Sequence, residues 1–238
     1  YTPVDCGFDD FYGFLNGAMS YWNPERYVRL PETAPRREYA RGDFYATDVI
    51  TDYAIDFAAR ARELHKPLFL HVSYNAPHFP LQAPRERIDH YMEVYLKGWD
   101  AIREEREARL RRLGLLSDEE QAAGRGVVPA SQFIDRIRPV PAWEELPEEQ
   151  RHDLARRMAI YAAMIDIMDR NIGRLVEALR DNGQLENTLL LFLSDNGACA
   201  EWHEFGFDGR SGTNYRIHTA DELAGMGQPG TYHHYGTG

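Results

Sequence analysis

The sequence has few cysteines, no long apolar run and fewer basic than acidic residues. Cys6 and Cys199 are its only cysteines, which excludes a small disulfide-stapled scaffold and provides no zinc-binding cysteine spacing. No stretch approaches the roughly 18 apolar residues of a membrane span, and no signal peptide is visible at the start. Lysine and arginine total 27 against 38 acidic residues, a net charge of −11. We therefore expect neither a membrane nor a nucleic acid as partner.

The overall composition is that of a folded protein. Hydrophobic residues make up 43% and charged residues 27% of the 238 positions, which excludes an intrinsically disordered chain. This length permits one large domain or two small ones. The first residue is Tyr1 rather than methionine, and residues 231–238 form a polar, glycine-rich stretch with no helical or strand pattern. We therefore expect the chain to be a piece of a longer protein.

Two segments have the apolar spacing of amphipathic helices. Between 47 and 64, apolar residues recur at the 3.6-residue period, with Thr47 as a candidate N-cap and Lys66-Pro67 as the stop. Between 152 and 181, apolar residues alternate at steps of four and three, and Asn182-Gly183 provides a left-handed C-terminal stop. The methionines of the second stripe are interpreted as core residues.

A short apolar run follows each predicted helix. Residues 68–74 and 188–193 have the length and composition of strands buried on both faces, as in parallel sheets. A helix followed by a strand, twice, predicts an α/β fold with helices packed on a mainly parallel sheet. Residues 85–150 are rich in mixed charges and are interpreted as an excursion from that sheet.

Polar side chains stand at the carboxyl ends of both predicted strands, where open α/β sheets bind ligands. His78 follows the first strand, and Asp195 and Asn196 follow the second. Carboxylate and amide oxygens suit a hard cation such as Ca²⁺ or Mg²⁺, although two ligands are fewer than either ion needs. An imidazole could donate a hydrogen bond to an anionic substrate or a proton to a leaving group.

The same residues have plainer interpretations. Asp-Asn-Gly is an ordinary turn sequence, and a single histidine between prolines can be structural. Asp166 and Asp169 share a helix face and are interpreted as a solvated or helix-capping pair rather than a catalytic acid/base pair. His233-His234 lies in a segment expected to be mobile.

Several segments together resemble one enzyme family. The loop from Tyr74 to Pro84, the segment Leu193-Ser194-Asp195-Asn196-Gly197 and the helix from Tyr161 to Leu175 resemble arylsulfatase-type sulfatases of the alkaline-phosphatase-like superfamily. The segment from Gly7 to Gly13 resembles the family's segment near the substrate cleft. The resemblance runs from Gly7 to about residue 212.

The resemblance implies a hydrolase of sulfate esters on small molecules or glycans. It implies a formylglycine nucleophile and a divalent cation, Ca²⁺ with Mg²⁺ as the alternative. It implies Asp195 and Asn196 as metal ligands and His78 as a catalytic residue that contacts the sulfate or the leaving oxygen. Sulfatases are often exported, so a periplasmic or extracellular location is the default expectation.

Other features depart from the family pattern. The family nucleophile lies in Cys/Ser-x-Pro-x-Arg, whereas Cys6 precedes Gly-Phe-Asp and Cys199 precedes Ala-Glu-Trp, so we expect the nucleophile outside this chain. Asp9-Asp10 lacks the preceding apolar strand of the family's aspartate pair and is not assigned as a ligand.

We therefore expect residues 1–238 to be an incomplete sulfatase catalytic domain, in which 212–238 form a flexible tail. Unpaired sheet edges in such a piece favour self-association. Two alternatives remain open at the level of the sequence. One is a phosphoesterase of the same superfamily, and the other is a non-catalytic paralogue that acts as a binding module.

Overall fold

The computed structural model describes residues 1–17, 19–40, 42–117, 119, 141–194, 204–210 and 214–236. A short two-stranded sheet precedes a set of helices along the chain. The strands are β1 (Phe11–Gly13) and β2 (Val28–Leu30). The helices are α1 (Ala46–Glu63), α2 (Arg85–Tyr95), α3 (Trp99–Arg112), α4 (Glu148–Asp181) and α5 (Ala220–Gly225). Within these described residues, no helix is both long and apolar enough to cross a membrane.

Both helices predicted from apolar periodicity are present, as α1 and α4. Helix α1 begins one residue before Thr47, which lies buried in its first turn and does not cap it. Helix α4 begins four residues earlier than predicted and ends as expected, where Gly183 adopts a φ of +69°. Such a left-handed conformation favours glycine, which explains why the helix stops at this position.

Helix α4 is the centre of the core, because both α1 and α2 pack on it. Ala54 and Ala58 of α1 contact Leu175 and Leu179 of α4 in one apolar cluster. The pairing of small with larger side chains brings the two helices into close contact. A second cluster joins Ile88 of α2 with the middle of α4 and with a group of aromatic side chains near the start of the chain.

The predicted mainly parallel sheet is not confirmed. In the part of the chain that the structure describes, the only sheet is the antiparallel pair β1–β2, with Phe11 opposite Leu30 and Gly13 opposite Val28. Neither 68–74 nor 188–193 belongs to a strand. A strand is defined by hydrogen bonds to a neighbouring strand, and these segments have no such neighbour among the described residues.

The prediction that both apolar runs are buried on two faces is wrong. Leu68, Leu70 and Val72 pack against α1 and α4, whereas the intervening Phe69 is 79% exposed. In the second run, Leu189 is 84% exposed and its neighbours to residue 193 are exposed as well. The helices cover one side of the first run, and on the other side the Phe69 ring lies 5.9 Å from that of Phe8.

The remaining described segments differ in how far they pack on the core formed by α1 and α4. Helix α3, in the predicted excursion, has no buried residue, which fits its mixed-charge sequence. The segment predicted as a flexible tail contains α5 and Met226, which is 1% exposed within the core. The tail residue His233 forms an isolated antiparallel bridge with Asp208.

Candidate active site around His78

The loop that follows residues 68–74 is held by a buried tyrosine. Tyr21 is fully buried, and its hydroxyl oxygen lies 2.7 Å from the carbonyl oxygen of Asn75 and 3.0 Å from that of His78. The His78 amide also donates to the Asn75 carbonyl at 2.8 Å, which closes a turn. The peptide bonds Ala76-Pro77 and Phe79-Pro80 on either side of His78 are cis. The hydrogen bonds of the Tyr21 hydroxyl and of the turn therefore hold the backbone at Asn75 and His78.

The imidazole of His78 is exposed and has a defined tautomer. Its Nδ1 lies 2.8 Å from the carbonyl oxygen of Phe79. A carbonyl oxygen only accepts hydrogen bonds, so Nδ1 carries the proton. Nε2 is then the ring nitrogen that can act on a substrate, as an acceptor when neutral and as a donor when protonated.

Gln82 connects this loop to distant parts of the chain, a role that its sequence did not indicate. Its side-chain oxygen accepts from the Tyr21 amide at 2.9 Å and from the Ser20 hydroxyl at 3.0 Å. Its side-chain nitrogen Nε2 donates to the backbone carbonyl of Thr231 at 2.7 Å. Its backbone carbonyl accepts from the Tyr45 hydroxyl at 2.9 Å. These partners are far apart in sequence, so no local pattern could reveal them.

Phe207 and residues 227–233 of the predicted tail pack beside the loop that carries His78, and together they are called the wall. The Leu81 amide donates to the carbonyl of His233 at 3.0 Å, and the Ala83 amide donates to that of Gly227 at 3.1 Å. The Phe79 ring lies 5.2 Å from the ring of Phe207 and 6.3 Å from that of Tyr232, measured between centroids. The loop and the wall are therefore joined by backbone hydrogen bonds and by aromatic contacts.

The other predicted site residues, Asp195 and Asn196, lie outside the described residues. Asp166 is partly buried and pairs with Arg170 and Arg87, whereas Asp169 is exposed. Asp169 is thus solvated as expected, whereas Asp166 is held by two guanidinium groups.

Asp10 is also an ion-pair residue. Its carboxylate pairs with Arg29 and, at 3.0 Å, with Arg60. Both carboxylate oxygens of Asp10 accept hydrogen bonds from arginine guanidinium groups. The contacts of Asp10 are therefore those of a structural ion pair that joins β2 to α1.

A buried charged network joins α4 to Asp208 and to the predicted tail, and it was not identified from the sequence. Arg157 is fully buried and donates to Asp153 at 2.6 Å and to Asp208 at 2.8 Å. His218 Nδ1 lies 2.6 Å from the second oxygen of Asp153, and His233 Nδ1 lies 2.8 Å from Asp208. Burial alone would raise the pKa of Asp208, but hydrogen bonds from His233 and Arg157 outweigh it and lower the pKa to about 2. Both carboxylates are therefore ionised at neutral pH.

Comparisons with known proteins agree on one family. The family model described as Sulfatase matches residues 2–233. An arylsulfatase of Klebsiella aerogenes is 35% identical over 205 residues, which cover 83% of this chain and 41% of that protein. An uncharacterized sulfatase of Schizosaccharomyces pombe is 36% identical over 156 residues, which cover 66% of this chain and 26% of that protein.

The solved structure of a putative sulfatase from Bacteroides fragilis overlaps this chain with a TM-score of 0.42 and 21% identity. The overlap covers 76% of this chain and 30% of that one. This chain therefore spans less than half the length of these relatives.

Proposed function

This chain belongs to the sulfatase family, and we propose that the protein containing it hydrolyses sulfate esters. The observation that carries the proposal is His78. It is an exposed imidazole on a braced loop, at the position where the sequence resembles the family's sulfate-contacting histidine. The proposed substrates are sulfate esters of small molecules or glycans.

His78 is proposed to assist the leaving oxygen. In the protonated imidazole both ring nitrogens carry hydrogen, and Nδ1–H remains bonded to the Phe79 carbonyl. Nε2–H is then the group that moves its proton to the departing ester oxygen, which leaves the neutral tautomer described above. Proton donation by a positioned side chain contributes about 10²–10⁴-fold to rate.

Asp195 and Asn196 are proposed to hold a divalent cation. Their carboxylate and amide oxygens fit Ca²⁺, and Mg²⁺ uses the same donor chemistry. The bound cation would neutralise charge on the sulfuryl oxygens. The remaining ligands and the formylglycine nucleophile are proposed to lie in parts of the protein outside this chain.

Those parts are also proposed to complete an α/β sheet. Along 68–74, partly buried residues alternate with exposed ones, which is the pattern of a strand with one covered face. The run 188–193 is apolar and exposed, as expected of a strand without its neighbours.

The first test uses the complete protein with an aryl sulfate as substrate. His78→Gln should lower kcat/KM by about 10²–10⁴-fold, because Nε2 is lost as proton donor. The matched control is His90→Gln, an exposed histidine on α2, which should leave kcat/KM unchanged. Full activity of His78→Gln would refute the role given to His78.

A second comparison separates the two ester chemistries. The wild-type protein should hydrolyse 4-nitrophenyl sulfate with a higher kcat/KM than 4-nitrophenyl phosphate. The reverse order would favour the phosphoesterase alternative, and hydrolysis of neither ester would favour the non-catalytic binding module. The 238-residue chain alone should turn over neither substrate, since the proposed nucleophile lies outside it.

A further inference from the structure

Two histidines and one aspartate from three stretches of chain converge at one point beside α4. The ligand atoms of Asp208, His218 and His233 all lie within 4.8 Å of one another. Backbone hydrogen bonds fix two of these stretches together, since Gly209 donates to the carbonyl of Tyr232 at 2.8 Å and His234 donates to that of Phe207 at 2.9 Å. The cluster is therefore built by the fold and not by one local loop.

The distances within the cluster suit one small metal ion. Asp208 Oδ1 lies 2.8 Å from His233 Nδ1 and 3.9 Å from His218 Nε2. Two ligand atoms that each bind one ion at about 2.1 Å can be at most about 4.2 Å apart. Both pairs meet this limit, and the ligand atoms of the third pair, His218 and His233, lie within 4.8 Å of each other.

Asp153 prepares His218 to act as a ligand. This carboxylate is fully buried and accepts both from His218 Nδ1 at 2.6 Å and from the His218 backbone amide at 3.0 Å. Nδ1 therefore carries a proton, and Nε2, which lies 3.9 Å from Asp208 Oδ1, is the ring nitrogen available to an ion. A carboxylate behind a histidine in this way is typical of metal-ligating histidines, because it fixes the ring and its tautomer.

The charge of the cluster and its access to solvent also favour a cation. Asp153 and Asp208 share one guanidinium, that of Arg157, so two carboxylates face a single arginine. A cavity of about 410 Å³ is lined by Asp208, His218 and His233, which gives an ion a way in. Glu222 also lines the cavity, but its charge is balanced by Arg216.

We propose that Asp208, His218 and His233 bind a divalent transition-metal ion, with Zn²⁺ as the principal candidate. Imidazole nitrogens suit Zn²⁺, whereas Ca²⁺ and Mg²⁺ prefer oxygen ligands. This site is therefore different in chemistry from the one proposed for Asp195 and Asn196. In the bound state His233 carries its proton on Nε2 instead of Nδ1, so that the Nδ1 electron pair now binds the ion beside Asp208.

The ion has a structural role beside the active-site loop. His233 accepts the Leu81 amide hydrogen bond at 3.0 Å through its own carbonyl, so a fixed His233 also fixes the loop that carries His78. The proposal does not depend on the sulfatase activity, because the ligands and their geometry are independent of the chemistry at His78.

The experiment is a ZnCl₂ titration of the complete protein, saturated beforehand with Ca²⁺, by isothermal calorimetry. Wild-type protein should bind one equivalent of Zn²⁺. His233→Gln should weaken this binding by about 100-fold or more, and Asp153→Asn by about 10–100-fold. His90→Gln, which changes an exposed histidine outside the cluster, should bind Zn²⁺ like the wild type.

Two outcomes would overturn the proposal. One is the absence of a Zn²⁺ equivalent in the wild-type protein, and the other is equal affinity in folded His233→Gln. If the variant does not fold, anomalous diffraction at the zinc edge from wild-type crystals decides. A peak bonded to Asp208, His218 and His233 supports the site, and a peak elsewhere or no peak refutes it.

Discussion

At the scale of single residues, Gly98 occupies a position that no other amino acid fits. It precedes α3 with a φ of +88°, and a Cβ placed on it would lie 2.3 Å from Trp143 Cγ. Gly98→Ala combines backbone strain with a clash against a buried indole. We expect the free energy of unfolding to fall by about 2–4 kcal/mol, measured by urea denaturation.

Gly114 distinguishes the cost of backbone strain from the cost of the clash with Trp143. It also has a positive φ, +68°, but a Cβ at this position would meet no atom within 4 Å. Gly114→Ala should therefore show only the backbone cost, about 1–2 kcal/mol. Equal losses in both variants would mean that contact with Trp143 does not explain the glycine.

Tyr21 has a positioning role at the candidate active site. Tyr21→Phe removes the hydroxyl that lies between the carbonyl oxygens of Asn75 and His78. In the complete protein we expect kcat with an aryl sulfate to fall about tenfold or more with little change in KM, because small displacements of catalytic groups are costly. The measurement is steady-state kinetics.

Tyr53→Phe is the matched control for that variant. Tyr53 is also buried, and its hydroxyl accepts from the Arg37 amide at 2.7 Å, away from the loop. Both variants should lose about 1–3 kcal/mol of stability, but only Tyr21→Phe should lose activity. A similar loss of kcat in both would indicate a general structural effect.

At the scale of elements, a polar contact fixes α1 against α4. Asn171 is 2% exposed and donates to Asp48 Oδ1 at 2.7 Å and to the Ile167 carbonyl at 2.8 Å. Asn171→Ala leaves Asp48 without this partner and opens a small cavity, so we expect a loss of about 1–3 kcal/mol. Asp169→Ala, on the exposed face of the same helix, should change stability by less than about 0.5 kcal/mol. Thermal denaturation of the two variants tests this difference.

The helices α1 and α4 could be predicted from the sequence, whereas the pairing of the apolar runs could not. Apolar periodicity is a local signal, and it correctly located α1 and α4 to within a few residues. Strand pairing depends on distant partners, and the apolar runs at 68–74 and 188–193 carried no information about whether a neighbour is present. The catalytic role of His78 was inferred from a local motif; the structure shows an exposed imidazole, and the role stays a prediction.

The buried network and Gln82 were missed for a related reason. Asp208, His218 and His233 lie in stretches rich in glycine, threonine and tyrosine, which are typical of loops. Their convergence depends on backbone bonds such as that between Gly209 and Tyr232, which no periodicity predicts. Buried polar clusters formed between loops leave no local pattern in a sequence.

At the scale of the whole molecule, the exposed apolar run at 188–193 should govern solution behaviour. We expect the isolated 238-residue chain to self-associate, because apolar side chains such as Leu189 and Leu191 gain by removal from water. Leu189→Ser/Leu191→Ser should reduce the mean mass seen by light scattering. Leu113→Ser/Leu115→Ser, an equally spaced exposed pair near the end of α3, should have less effect. A monomeric wild-type chain at high concentration would contradict this prediction.

The contact between Asp48 and Asn171 also bears on how the chain folds during its synthesis. The two residues are 123 positions apart, so at about 5–20 residues per second the ribosome adds Asn171 about 6–25 s after Asp48. Helices form in less than a millisecond, so α1 can be helical long before α4 exists. During that interval the nascent chain presents the apolar face of α1 without its partner, which is the surface that a chaperone recognises.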